Sequence, residues 1–195
     1  MAVKILVEDT PNPNAIKFIV DRKLKEGGGI EFKKGQASDV ELVETLLSLE
    51  GVSEIYIFQN NMSILKTDQA DWRILEDKIL EIIKNKIETH NPSIQSEKKS
   101  TSLKFDKKTQ ESIDKINLIL DHNVRPALQA DGGDLEIVNF ADNVLTISYV
   151  GACNNCPSAI LGTLRGIEDI LRHEYNKDIT LKATNDLNME ENFFY

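Results

Sequence analysis

Cys153 and Cys156 are the only cysteines in the 195-residue chain, and two residues separate them in Gly151-Ala152-Cys153-Asn154-Asn155-Cys156-Pro157. At this spacing two sulfurs can point at one metal ion, and backbone N–H groups between them can hydrogen-bond to the sulfurs. The same pair can instead exchange between dithiol and disulfide, or serve only as packing. Pro157 suits the first turn of a helix, because its missing N–H is not needed there. The cysteines are then expected in a loop running into a helix N-terminus, where the free N–H groups and the helix dipole favour thiolate, most of all at Cys156.

The count of two sharpens the ligand reading. A cubane iron–sulfur cluster or a tetrahedral zinc site takes four ligands. His90, His122 and His173 are scattered along the chain and make no convincing set with the cysteines. Two copies, each giving Cys153 and Cys156, supply four thiolates across a twofold axis. Such a site is expected at a surface, held by one short loop from each side, and suited to transfer. Against disulfide exchange, the surrounding domain is small and lacks the longer βαβ pattern that accompanies such motifs.

Bulk properties narrow the class. A net charge of -9, with acidic excess in both halves, argues against a nucleic-acid binder. No apolar run approaches the length of a membrane span. Residues 1–9 have neither a secretory apolar segment nor an Arg-rich, acid-poor transit character, so a cytoplasmic setting is expected. Two cysteines cannot staple a chain of this size, which also fits a reducing compartment.

The elements divide into two small domains of α+β type. Residues 1–90 read as an antiparallel-sheet α/β domain. Its strands are expected at 3–7, 15–20, 30–32, 52–58 and 62–66, with a turn at Thr10-Pro11-Asn12-Pro13-Asn14. Ser38 and Glu41 form a capping box before a helix burying Val40, Val43, Leu46 and Leu47. Asp71 caps a second helix with the stripe Trp72, Leu75, Ile79, Ile82 and Ile83. Residues 91–108, rich in Ser, Lys and Thr, read as a flexible linker in which Leu103 and Phe105 are isolated apolar residues. Residues 109–182 read as an αββαβ domain. A helix at 109–123, resuming toward Ala130 after Arg125-Pro126, leads through the turn Asp131-Gly132-Gly133-Asp134 into strands at 135–140 and 144–150. A helix from Pro157 to about His173, with Ile160, Leu161, Leu164, Ile167 and Leu171 on one face, precedes a strand at 179–182. Residues 183–195 read as a tail. Gly133 is expected to need positive φ, and Arg125 to pair with Asp131 or Asp134. Gly27-Gly28-Gly29 fails the spacing of a nucleotide-binding loop and reads as a connector, and the Asp-Gly-Gly-Asp turn lacks the features of a phosphate or calcium loop.

Two long motifs carry a resemblance. Val124-Arg125-Pro126-Ala127-Leu128-Gln129-Ala130-Asp131-Gly132-Gly133-Asp134-Leu135, followed by Gly151 to Pro157, resembles the C-terminal NifU domain of the Nfu family. Thr10 to Phe18, and Gly51 through Trp72, resemble the Nfu N-terminal domain. The resemblance covers nearly the whole chain apart from linker and tail. It implies a non-enzymatic scaffold or carrier that receives a [4Fe-4S] cluster from upstream donors and passes it to apo iron–sulfur target proteins. By the same resemblance the cluster is bridged between subunits of a homodimer by the ligands Cys153 and Cys156, with no nucleic acid or membrane involved. It assigns the N-terminal domain to stability or partner recognition. One departure is visible: Asn155 stands where the family commonly has a small residue. Asn accepts unusual backbone angles, so the loop is expected to survive with altered cluster lability.

Overall fold

Alternating apolar side chains build the first sheet. In the computed structural model, which describes residues 3–36, 38–94, 106–154, 156 and 162–184, the chain splits into two compact units at Ser96/Glu97. In the first, β1 (Ile5–Asp9), β2 (Ala15–Val20), β3 (Ile30–Lys33), β4 (Val52–Phe58) and β5 (Asn61–Lys66) pair antiparallel in the order β1-β2-β5-β4-β3. Register aligns Val7, Phe18, Met62, Ile57 and Ile30 in one row, and Ile16, Ile64, Ile55 and Phe32 in the next. Side chains alternate across a strand, so both rows share a face. The helices α1 (Glu41–Ser48) and α2 (Trp72–Lys86) complete that core with Leu42, Val43, Leu46, Leu47, Leu75, Ile79 and Ile83. The opposite face carries the polar row Glu8, Lys17, Ser63, Tyr56 and Glu31, in which Lys17 Nζ lies 2.7 Å from Glu8 Oε2.

The capping box is displaced. Val40 is extended (φ −90°, ψ 102°) and α1 begins one residue later. The Ser38 N–H therefore donates to Glu44 Oε1 (2.8 Å), while Ser38 Oγ accepts from the Val40 N–H (3.1 Å). Glu41, freed from the box, pairs with Lys86 of α2. Asp71 caps α2 as expected, accepting from the Arg73 N–H at 2.9 Å.

The Thr10–Asn14 turn is tied down by its own side chains. Thr10 Oγ1 bonds the carbonyls of Asn12 and Ala15, and Asn12 Oδ1 accepts from the Asn14 N–H. The Trp72 indole N–H then donates to Pro13 O at 3.1 Å, fastening α2 to the turn while the ring packs on the core. Trp72→Phe is expected to lower the stability of this unit by about 1 kcal/mol, the net worth of one such bond. Urea unfolding followed by circular dichroism checks it; an unchanged midpoint contradicts the fastening.

The expected linker narrows at both edges. The Glu26 N–H donates to Pro92 O (3.0 Å), Ser93 Oγ bonds Glu26 Oε2 (3.1 Å), and Ile94 is buried in the first core. At the far edge Asp106 caps the Thr109 N–H (2.7 Å), and helix α3 spans Lys107–Asn123. Apolar Ile94 and the cap residue Asp106 each extend order beyond what composition suggested. Leu103 and Phe105 lie outside the described residues.

In the second unit α3 breaks at Val124 (φ −122°, ψ −57°) and α4 (Arg125–Ala130) resumes with Pro126 in its first turn. Proline removes an N–H and crowds the preceding residue, which separates the two helices. The strands β6 (Gly133–Ala141) and β7 (Val144–Gly151) form a hairpin whose turn residues Asp142 and Asn143 both have positive φ, as its tight geometry requires. Helix α5 (Leu164–Glu174) crosses back to β8 (Thr180–Ala183), parallel to β7, in a sheet ordered β6-β7-β8. The sequence pattern αββαβ holds, with the first helix divided. Ala183, expected at the start of the tail, is a buried strand residue. Phe193-Phe194-Tyr195 lie outside the described residues. Among the described residues no helix is long and apolar enough to cross a membrane.

Candidate functional site

β8 pairs with the first half of β7, from Val144 to Ile147. The other end of β7 lies beside the start of β6, with Gly133 opposite Gly151 and Asp134 opposite Val150. From that end the chain turns into the cysteines. Gly132 (φ +84°) and Gly151 (φ +63°) flank the junction in the left-handed region, open to glycine without steric cost. The Ala152 N–H donates to Gly132 O (3.1 Å) and the Asn154 N–H to Gly151 O (2.9 Å). A longer contact, 3.4 Å, runs from the Cys156 N–H to Cys153 O.

The positive φ expected of Gly133 belongs to Gly132 instead. Gly133 is needed for a different reason. A Cβ there would lie 2.5 Å from Cys153 Sγ, 2.6 Å from the Cys153 nitrogen and 2.8 Å from Val150 O. The backbone of β6 is thus a wall against the first thiol. Spacing alone could not distinguish that close approach from a turn requirement.

Arg125 braces this wall and takes Asp134, not Asp131, as its partner. Nη1 donates to Asp134 Oδ1 at 2.7 Å and to Leu135 O at 2.6 Å. Nε lies 2.8 Å from Asp121 Oδ1 and Nη2 3.1 Å from Asn117 Oδ1. The Asp134 carboxylate also accepts from Gln129 Nε2 (3.0 Å) and from the Leu135 N–H (2.7 Å). Sequence reasoning missed Asn117, Asp121 and Gln129. Steps of four residues from Asn117 through Asp121 to Arg125 and Gln129 were the available signal, since residues four apart share a helix face.

Both cysteines are free and buried, Cys153 with 5% and Cys156 with 2% of its surface exposed, within the second core. Burial pushes the Cys153 thiol up to about 12, and the negative charges of Asp131, Cys156 and Asp134 add in the same direction. This reverses the expectation of a stabilised thiolate at Cys153. The helix expected from Pro157 is described from Leu164 onward, where Ile167 and Leu171 are buried as the stripe required. Asn155, Pro157, Ile160 and Leu161 lie outside the described residues. A protonated Cys153 is a poor nucleophile, so the geometry offers exchange chemistry little. A soft metal is different: it replaces the proton and binds the thiolate directly.

The histidines stand apart. His90 Nε2 contacts Leu24 O at 2.7 Å in the first unit, His122 is exposed, and His173 contacts Glu174 at 3.0 Å. Among the described residues no group of three or more His, Cys, Asp or Glu side chains could hold a metal ion. Each chain therefore brings two soft sulfur donors, a set whose chemistry fits an iron–sulfur cluster only when doubled.

The raised Cys153 thiol has a consequence for stability. Folding favours the protonated form, so its contribution is fully present below the unfolded thiol's value near 9 and is lost as pH rises toward about 12. Between these limits the wild-type second unit is expected to weaken more steeply than a Cys153→Ala variant. Urea midpoints across that range decide it; parallel curves for the two proteins contradict the assignment.

Comparison with known proteins yields matches in chain order. The family model "Scaffold protein Nfu/NifU N terminal" matches residues 5–90, and "NifU-like domain" matches residues 116–182. Similar curated proteins include "NFU1 iron-sulfur cluster scaffold homolog, mitochondrial" of Drosophila persimilis, 26% identical over 170 residues, covering 86% of this chain and 60% of that protein. The protein of the same name from Drosophila erecta is 27% identical over 171 residues, with 86% and 60% covered. The chain thus spans about 60% of the length of these relatives. Among solved structures, the solution NMR structure of a NifU-like protein from Saccharomyces cerevisiae is 19% identical, covers 50% of this chain and 87% of that chain, and superposes with a TM-score of 0.44.

Proposed function

We propose that this chain, which belongs to the Nfu family, is an iron–sulfur cluster scaffold that holds a [4Fe-4S] cluster between two copies and passes it to apo-proteins. One observation carries the reading. The chain owns two cysteines, they share one turn, and no third ligating group accompanies them among the described residues. Four thiolates from Cys153 and Cys156 of two chains satisfy a cluster that one chain cannot.

The cluster is cargo. Loading replaces the proton on each ligating thiol with an iron–sulfur bond. Unloading is the reverse ligand exchange: an acceptor's thiolates displace Cys153 and Cys156 one after another, and each freed sulfur regains a proton. A raised Cys153 thiol favours that last step, because protonation competes with rebinding. No bond in an organic substrate is broken, so the role is that of a carrier and not an enzyme. Its partners are upstream cluster donors and apo iron–sulfur proteins, with the first unit available for recognising them. Two free cysteines support a reducing, cytoplasmic setting.

Mixing the loaded protein anaerobically with an apo-protein that has an empty [4Fe-4S] site tests the role. The acceptor is expected to gain its cluster faster than from equal free iron and sulfide, and with a chelator present. Transfer no faster than from the free ions contradicts the proposal.

A further inference from the structure

We infer that the cysteine pair is stowed in this conformation: both sulfurs lie within the core of their own unit, and presenting them to a second copy requires the loop to swing out between Gly132 and Gly151. The swing rests on reading the pair as half of a shared site; the stowing does not. Cys153 and Cys156, at 5% and 2% exposure, belong to the core that includes Ile116, Leu120, Leu135 and Ile167. A metal–sulfur bond spans only about 2.3 Å. A sulfur sunk in its own unit cannot reach a metal held equally by a second chain.

The loop base is built for both positions. In the stowed one, the Cβ-free backbone of Gly133 admits the Cys153 sulfur, and the Ala152 N–H holds Gly132 O. Movement falls to the two positive-φ glycines, which change backbone angles at little steric cost. Cysteine is a small apolar side chain with a modest burial gain, so opening belongs among local fluctuations that cost less than global unfolding. Binding the cluster then selects the open form. Stowing consequently works on release as well as on protection. A sulfur freed by an acceptor has a buried resting place to return to, and that return opposes recapture of the cargo.

Alkylation of the reduced, metal-free full-length chain by iodoacetamide tests this across a urea series below the unfolding transition. Rates are compared with the unfolded chain at equal thiolate fraction, taken from the pH profile of each. Native labelling is expected to be slower by about tenfold or more, with a urea dependence clearly weaker than that of global unfolding. Less than tenfold protection overturns the stowing. Strong protection with the full global urea dependence overturns the local swing. Gly133→Ala, whose added carbon would press on Cys153, is expected to speed the labelling; should it fail to fold, the wild-type series decides alone. Failure to take up a cluster on reconstitution would count against the scaffold reading and leave these rates unaffected.

Discussion

Cys153→Ala and Cys156→Ala are each expected to cut bound iron and sulfide after anaerobic reconstitution to below about one-hundredth of wild type, the scale on which even supporting contacts matter to metal sites. Each substitution removes one ligand per chain and so two of four across a pair, leaving a set no cluster can use. No other cysteine exists to substitute, and none of the three histidines is placed to help. The fold should persist. Removing one sulfur from the second core costs about 1 kcal/mol, and the β6–β7 ladder beside it is backbone-bonded. Iron and acid-labile sulfide assays, with circular dichroism as control, separate the two effects. Wild-type cluster content in either variant contradicts the ligand assignment.

Arg125→Ala has the second largest expected effect, and it falls on stability. The guanidinium is the centre of four contacts: Asp121, Asn117, Asp134 and the Leu135 carbonyl. Its partner Asp134 has a side chain only 10% exposed. Removing one member of a buried pair strands the other charge, and the loss is about 3 kcal/mol. Gln129 and the Leu135 N–H still reach the carboxylate and keep the loss from growing. The change is expected in the second unit alone. Trp72, the single tryptophan, lies in the first unit and supplies an internal control by fluorescence. A loss under about 1 kcal/mol by circular dichroism, or an equal fall in the Trp72 transition, contradicts the brace. Because Asp134 adjoins Gly133, the cysteine loop should loosen with it, and cluster content should fall even at temperatures where the variant stays folded.

Local patterns made much of this readable in advance. The strands Ala15–Val20 and Val52–Phe58 follow from alternation and β-branched content, and Asp142-Asn143 follows from turn chemistry. Asp71 needed only its place before a helical stripe. The misses share a cause: each depended on distant groups. Glu41 left its capping box because Lys86 lay across from it, and Gly133 answered to a sulfur brought back by a hairpin. The cysteine spacing gave the ligand count, yet the thiol's protonation came from burial and from Asp131 and Asp134, which the motif does not encode. Arg125 was singled out by its neighbours in sequence, but the choice of Asp134 over Asp131 required the strand that buries Asp134.

The most direct test joins a metal count to a solution mass on one anaerobically reconstituted sample. Four iron and four sulfide ions per two chains are expected, on a particle of twice the 22.0 kDa chain mass, reverting toward the metal-free mass once a chelator strips the cluster. A complete cluster carried by a particle of single-chain mass would contradict the shared site.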